Sequence, residues 1–408
     1  MIQGHELSPS LGDTASRYPM RAAILTGLKT IEIVERPVAE PAKGEVALAI
    51  NAVGICGSDL AYWAQGVAGG FKKLDFSAEG LCKGYCGQMG HECAGTVIAV
   101  GEGVDSLVVG DRVALEPGVP CDTCVHCRKG RYNLCKSMRF IGSAVNEVPG
   151  AMVTRFNHPA AFCYKLPTHI SLDEGAMFEP LCVVLQAVRR ARVGIAMRVL
   201  ITGAGPIGLM TLLAAKAAGA TVLAITDMVD AKLVVARTIG ATYTFKANTP
   251  NLVSVAQQAV GGEFDVTFEC SGVVPALDLC VSATGSGGVL CVVANYKADE
   301  AGRTPVRLQE LARREIDLVG VYRYCNLYPT ALELVSSGAV NLKPLISRKF
   351  SLEQAGHAFE YFATGEPIKV LITPNEAAGD DGCKPCEFDG VSLEKARDEE
   401  IARVFGVR

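Results

Sequence analysis

Cys56 and the tripeptide Gly90-His91-Glu92 offer a thiolate, an imidazole and a carboxylate within one short stretch of chain. Zinc accepts all three ligand types, and three protein ligands leave a fourth position open for water or substrate. A metal held in that way acts as a Lewis acid that lowers the pKa of a bound hydroxyl. One cysteine and one His-Glu dipeptide are commonplace in 408 residues, so the assignment rests on their neighbours. Cys121, Cys124, Cys127 and Cys135 are the strongest of these, because four closely spaced thiolates wrap one tetrahedral zinc with no open position. That second site is therefore expected to be structural, with His126 a loop residue between ligands. Glu179, in Glu179-Pro180-Leu181, opens a helical run from Cys182 to Val188, with proline at a first helical position. Its carboxylate either complements the helix dipole or approaches the catalytic zinc, which makes it a rival of Glu92 for one coordination position.

A third chemistry lies further along. Gly203-Ala204-Gly205-Pro206-Ile207-Gly208 follows the strand-like run Arg198–Thr202 and precedes a helix expected over Leu209–Ala218. Asp227 ends the next strand-like run, 19 residues after the third glycine. Glycines at this spacing let the backbone approach a pyrophosphate at a helix N-terminus, and the acid binds the ribose hydroxyls. Asp227 would repel a 2′-phosphate, so NAD is expected rather than NADP, with Lys232 flanking the adenosine or the helix face. Helices over Ala231–Ile239, Leu252–Val260 and Pro275–Ala283 alternate with strands over Thr242–Phe245, Phe264–Glu269, Val289–Val293 and Asp317–Tyr322. That alternation predicts a doubly wound parallel sheet that binds its ligand at the strands' carboxyl ends. Val293, Ala294, Asn295, Val321, Tyr322 and Arg323 lie at such ends and are expected near the nicotinamide. Arg323 and Tyr324 are suitable donors to a polyhydroxylated substrate or a cofactor phosphate.

The elements that position the metal candidates differ in kind. From Met20 onward the chain alternates in strand fashion with Gly and Pro between runs, predicting a barrel-like β-lobe. Residues 1–19 read as a poorly ordered leader. Hydrophobic residues make up 49% and charged residues 20%, ordinary for a globular chain long enough for two domains. A net charge of −4 argues against nucleic acid, which needs a clustered basic surface. Arg189, Arg190 and Arg192 are expected instead at a helix C-terminus. No apolar run reaches the roughly 20 residues of a membrane span. The start Met1–Glu6 lacks a signal or transit pattern, so the sixteen cysteines are expected to be ligands and buried thiols in a cytoplasmic protein.

Gly90-His91-Glu92 with Gly95 and Gly101 resembles the zinc signature of medium-chain zinc-dependent alcohol dehydrogenases, and many members carry the same four-cysteine lobe. Glu179-Pro180-Leu181, Arg323-Tyr324-Cys325-Asn326, Val340–Ile346 and Ser351–Ala355 are similar to the polyol dehydrogenase group (sorbitol, xylitol and L-arabinitol dehydrogenases). The resemblance spans about residues 20–375, nearly all of the expected folded chain. It implies an α/β protein: a GroES-like β-rich catalytic domain over 20–185, completed by 338–376, and a Rossmann domain over 186–337. Residues 377–408 form a C-terminal extension, whose Cys383 and Cys386 read as free thiols.

The implied reaction is hydride transfer from a secondary hydroxyl of a sugar alcohol to NAD. Cys56, His91 and one or both of Glu92 and Glu179 would hold the catalytic zinc, and Ser58 would be the first proton acceptor. Tyr62, Glu179, Arg323 and Tyr324 would meet the substrate, Trp63 would border its cleft, and the assembly would be a homotetramer. Three departures stand out: Ala61 and Gln186 replace common histidines, and the loop Asp75–Gln88, with Cys82 and Cys86, is roughly ten residues longer than expected. Alternatives are an L-threonine or simple secondary-alcohol dehydrogenase, or a non-catalytic nucleotide-binding protein on the same fold.

Overall fold

Strand Glu45–Gly54 is the axis of the first lobe, rich in alanine and β-branched residues and mostly buried. Antiparallel pairing with Glu92–Val100 sets Gly54 opposite Glu92 and Val53 opposite Cys93. On its other edge, Lys369–Thr373 sets Leu371 opposite Gly54. Residues far apart in sequence therefore converge at the end of one strand, just before Cys56. Four more strands complete a seven-stranded sheet: Arg112–Leu115, Cys163–Lys165, Ile346–Ser351 and Arg155–Pro159, the last also pairing with Glu45–Gly54. The hairpin Met20–Gly27/Thr30–Arg36 forms a separate two-stranded sheet. Among the described residues the seven strands follow an open, branched path, so the expected barrel-like lobe is strongly β but has no ring of pairings. The computed structural model describes residues 19–68, 72–77, 80, 87–296 and 303–376. Cys82, Cys86, the leader before residue 19 and the extension 377–408 lie outside these.

The second sheet has six parallel strands in the order Tyr243–Lys246, Val222–Asp227, Arg198–Thr202, Phe264–Glu269, Thr284–Val292, Asp317–Gly320. In chain order this is 3-2-1-4-5-6, the dinucleotide-binding arrangement, with the switch point between the third and fourth strands across the sheet. Val199, Leu200, Ile201, Val266 and Phe268 are buried, as strands covered on both faces require.

Helix Phe178–Arg190 joins the lobes, with ten of its thirteen residues buried. Its Leu181, Cys182 and Leu185 share one core with Ala114 and Leu166 of the first lobe and Val199, Leu209 and Leu212 of the second. Truncating such a leucine to alanine costs about 2–5 kcal/mol. Arg189 and Arg190 lie in its last turn, where the dipole favours cations. The boundary expected at 185/186 falls inside this helix.

Several local expectations need correction. The bridging helix begins at Phe178 rather than Cys182, which places Pro180 third in the helix rather than first. Proline is tolerated there because first-turn N–H groups have no intrahelical partner. Cys56 sits not on a simple turn but at the N-cap of helix Gly57–Gln65. The fifth strand of the parallel sheet starts at Thr284, paired with Phe264, ahead of a glycine-rich irregularity that hides its period. The last strand stops at Gly320, leaving Val321, Tyr322 and Arg323 in the loop beyond it.

Candidate active site

Cys56, His91 and Glu92 each place a ligand atom within 4.8 Å of the others. Ligands about 2.0–2.3 Å from a tetrahedral zinc stand roughly 3.5 Å apart, so small side-chain movements would close this trio around an ion. Local backbone chemistry sets the geometry. Gly90 adopts φ +91°, and a Cβ there would meet Val53 at 2.7 Å, so the turn that presents His91 accepts no side chain. A Cβ on Gly54 would run into the Glu92 carboxylate, which lies directly against the facing strand.

Two residues the sequence reading passed over support this trio. The buried Asp59 accepts hydrogen bonds from the Cys56 N–H at 3.0 Å and the Gly90 N–H at 3.3 Å, and stands 3.8 Å from His91 Nδ1. Lys369 donates to Glu92 Oε2 at 2.5 Å and to the Ile55 carbonyl at 3.1 Å. Both members of this ion pair are almost fully buried. Burial alone would lower the His91 pKa, but Asp59, Cys56 and Glu179 outweigh it and raise it well above the ordinary value. Burial raises Asp59, against the pull of His91.

Glu179 lies outside the 4.8 Å group but within electrostatic reach of His91, Glu92 and Lys369. Burial pushes its carboxyl up to about 7. The buried Tyr324 hydroxyl approaches that carboxylate without a well-formed hydrogen bond, and among the described residues it has no other partner. The trio offers one sulfur, one imidazole nitrogen and one carboxylate oxygen, a donor set that zinc accepts with a fourth position left open. The residues present therefore fit zinc.

The remaining predicted residues surround this centre. Ser58 is half-buried on the first turn of helix Gly57–Gln65, which also buries Tyr62 and Trp63. The Arg323 guanidinium lies 4.1 Å from the Phe140 ring centre and donates to Asn146 Oδ1 at 3.3 Å. Phe140 in turn lies 5.6 Å from the His91 ring. Tyr322 is exposed on the same loop.

Gly203–Gly208 joins strand Arg198–Thr202 to helix Pro206–Ala217, with Gly205 at the N-cap and Pro206 first in the helix. A Cβ on Gly208 would collide with the Gly203 carbonyl, which explains the third glycine. Asp227 accepts hydrogen bonds from the Ala204 N–H at 2.7 Å and the Val229 N–H at 2.8 Å, which tie it to the glycine turn. Lys232 is half-buried near Asp227, and desolvation lowers its pKa. Val293 and Ala294 donate to the Glu269 carbonyl at 2.9 and 3.1 Å, followed by the exposed Asn295. Val321 donates to Val292 at 3.1 Å.

The second metal group, Cys121, Cys124, Cys127 and Cys135, is equally well formed. Its sulfur–sulfur separations of 3.4, 3.5 and 4.0 Å bracket the roughly 3.8 Å expected for thiolates around one tetrahedral zinc. The Thr123 hydroxyl, with the N–H groups of Thr123 and Cys124, pulls the Cys121 thiol down to about 6. His126 lies in the short helix Val125–Arg128 between ligands.

Residues 42–168 match the alcohol dehydrogenase GroES-like domain, and residues 206–337 match the zinc-binding dehydrogenase family. Sorbitol dehydrogenase of Arabidopsis thaliana is 42% identical over 86% of this chain and 94% of its own length. Sorbitol dehydrogenase of Gallus gallus is 39% identical over 84% and 93%. This chain is a zinc-dependent medium-chain dehydrogenase of the polyol group. L-idonate 5-dehydrogenase of Vitis vinifera is also similar to this polyol dehydrogenase, at 40% identity over 86% of this chain and 94% of the other. Among solved structures, an Escherichia coli oxidoreductase superimposes with a TM-score of 0.80 at 32% identity, covering 88% of the dehydrogenase and 100% of that chain.

The polyol dehydrogenase is thus an oxidoreductase that uses zinc and a nicotinamide dinucleotide and acts on a small molecule. Among its described residues, no helix is long and apolar enough to cross a membrane. Asp59 and Lys369 carried no motif of their own, although Asp59 ends the Cys56-Gly57-Ser58-Asp59 run. Its spacing, three residues past the N-cap, is that of a capping box and was the available signal.

Proposed function

We propose that the chain oxidises a secondary hydroxyl of a sugar alcohol of the sorbitol, xylitol or L-arabinitol type to the corresponding ketose, with NAD as hydride acceptor. The observation that carries this reading is the convergence of Cys56, His91 and Glu92 beside Glu179, Tyr324 and Arg323. Cys56, His91 and Glu92 would hold the catalytic zinc, which when bound supplies Lewis acidity toward the substrate hydroxyl. Glu179, outside that group, would act from beside it on the substrate. Ser58 would take the hydroxyl proton, and Tyr62 would border the cleft. Arg323, held by Phe140 and Asn146, would donate to the polyol chain, while the buried Tyr324 hydroxyl, close to Glu179, would turn its donor to a substrate oxygen.

NAD would lie over Gly203, Gly205, Pro206, Ile207 and Gly208, with its ribose at Asp227, Lys232 beside the adenosine, and its nicotinamide near Val293, Ala294, Asn295, Val321, Tyr322 and Arg323. Asp227 disfavours a 2′-phosphate, which supports NAD over NADP. Cys121, Cys124, Cys127 and Cys135 would hold the structural zinc. A cytoplasmic homotetramer completes the reading. A second reading, a sugar-acid substrate of the L-idonate kind, is favoured by the Arg323 cation and the Vitis vinifera relative.

Metal analysis with a substrate panel tests both. Two zinc equivalents per chain are expected, with Cys56→Ser losing one equivalent and all activity. Xylitol, sorbitol and L-arabinitol should be turned over in preference to L-idonate, L-threonine and simple secondary alcohols. One equivalent in the unaltered protein would overturn the catalytic assignment, and a preference for L-idonate would select the second reading.

A further inference from the structure

The loop Tyr322–Asn326, which carries Arg323 and Tyr324, has unusual backbone geometry. Arg323 and Asn326 both occupy the left-handed region, at φ +51° and +56°. A left-handed backbone is strained for arginine, though asparagine adopts it more readily, and it persists where the surroundings over-determine it. The surroundings here come from the other lobe. Tyr132, in the short helical turn Tyr132–Leu134 just before Cys135, accepts the Asn326 N–H on its hydroxyl at 2.8 Å. The same hydroxyl donates at 2.6 Å to the carboxylate of Glu116, which is 1% exposed. Asn133 donates to the Tyr322 carbonyl at 2.9 Å, and Asn326 Nδ2 donates to the Gly130 carbonyl at 3.1 Å. From the opposite side, Arg189 of the bridging helix reaches the Cys325 carbonyl at 3.5 Å.

Phe140 links this clamp to the chemistry. It shares one apolar cluster with Cys135 and Met138 of the four-cysteine lobe while touching both the Arg323 guanidinium and the His91 ring. Glu116 has little other reason to be buried. Among the described residues its carboxylate meets only the hydroxyls of Tyr132 and Tyr164, at 2.6 and 2.9 Å, and burial raises its pKa. A buried acceptor retained for two hydroxyls fixes their orientation.

We infer that the four-cysteine lobe is the jig that sets the substrate-binding loop, with Tyr132 and Asn133 as positioning residues that act through the backbone of Tyr322–Asn326 on Arg323 and Tyr324. A lobe called structural because its metal site is closed would then help to determine polyol affinity from across the domain boundary. The inference rests on the proposal that Arg323 meets the substrate.

The test compares zinc-loaded full-length enzyme with its Tyr132→Phe and Asn133→Ala variants. Tyr132→Phe keeps the ring but removes the acceptor of the Asn326 N–H. Its expected effect is a rise of about tenfold in polyol KM, with kcat and the KM for NAD changed less than about threefold and the zinc content unchanged. In an Arg323→Ala background the same substitution should add little, because both act on one contact. Full additivity, or an unchanged polyol KM in both single variants, would overturn the inference. Hydrogen exchange needs no substrate and separates this failure from failure of the polyol reading. Amides 322–326 should exchange faster in Tyr132→Phe, and unchanged protection there would sink the clamp whatever the enzyme oxidises.

Discussion

Replacing Lys369 by methionine tests the least visible support of the site. Methionine keeps most of the side-chain volume and removes the charge. Glu92 Oε2 then loses a cation at 2.5 Å and the Ile55 carbonyl loses a donor at 3.1 Å, where the lysine and glutamate side chains are each 2% exposed. Removing one partner of a buried ion pair costs about 3–5 kcal/mol. The abandoned carbonyl adds about 1 kcal/mol. A loss of about 4–6 kcal/mol is therefore expected in protein freed of catalytic zinc, in which Lys369 is the cation bonded to Glu92. With zinc bound at Cys56, His91 and Glu92 the loss should shrink, since the ion also neutralises Glu92. Urea unfolding followed by circular dichroism, on loaded protein and on protein stripped only of the weaker metal, reads both quantities. Adding Glu92→Gln should restore at least about half of the loss in stripped protein. A loss under about 1 kcal/mol, or a double variant no more stable than Lys369→Met, would refute the reasoning.

Gly54→Ala should expel the catalytic metal equivalent and cost about 1–3 kcal/mol, because its methyl runs into the Glu92 carboxylate; zinc analysis and thermal unfolding check it. Asp227→Ser should raise the NADP-to-NAD ratio of kcat/KM about tenfold or more, measured with the preferred polyol. His158 is buried with Nε2 2.9 Å from the Glu116 carbonyl, and burial depresses its pKa to about 4. It stays neutral in the fold while the unfolded chain takes up a proton near pH 6.5, so its stability contribution is complete above that pH and lost on acidification. At pH 5 the loss is about 2 kcal/mol, and His158→Gln should flatten this part of the pH–stability curve.

Features encoded locally were legible in the sequence. The four cysteines lie within fifteen residues, and the glycine turn, its strand and Asp227 follow one another directly, so spacing alone reported their geometry. The metal trio needed the company of these motifs, because its members meet through strand register. Lys369 was invisible for the same reason: nothing near it in sequence hints that Leu371 lies opposite Gly54. Glu116 and Tyr132 were missed because a buried carboxylate with two tyrosine donors has no linear signature. The start of the bridging helix was misread because proline was expected at the first helical position, whereas any position of the first turn tolerates it.

The pairing of Glu45–Gly54 with Lys369–Thr373 also dictates an order of assembly. The four-cysteine site needs only a short loop of chain, whereas the sheet around the trio is incomplete until a strand more than 300 residues later has emerged from the ribosome. Contacts that close long loops form late, and domains generally fold as units during synthesis. The parallel sheet, inserted between these strands, can collapse first and bring their ends together. A growing chain would thus load the metal of its cysteine lobe long before the centre that does the chemistry, and so would remain inert until Lys369–Thr373 had been made.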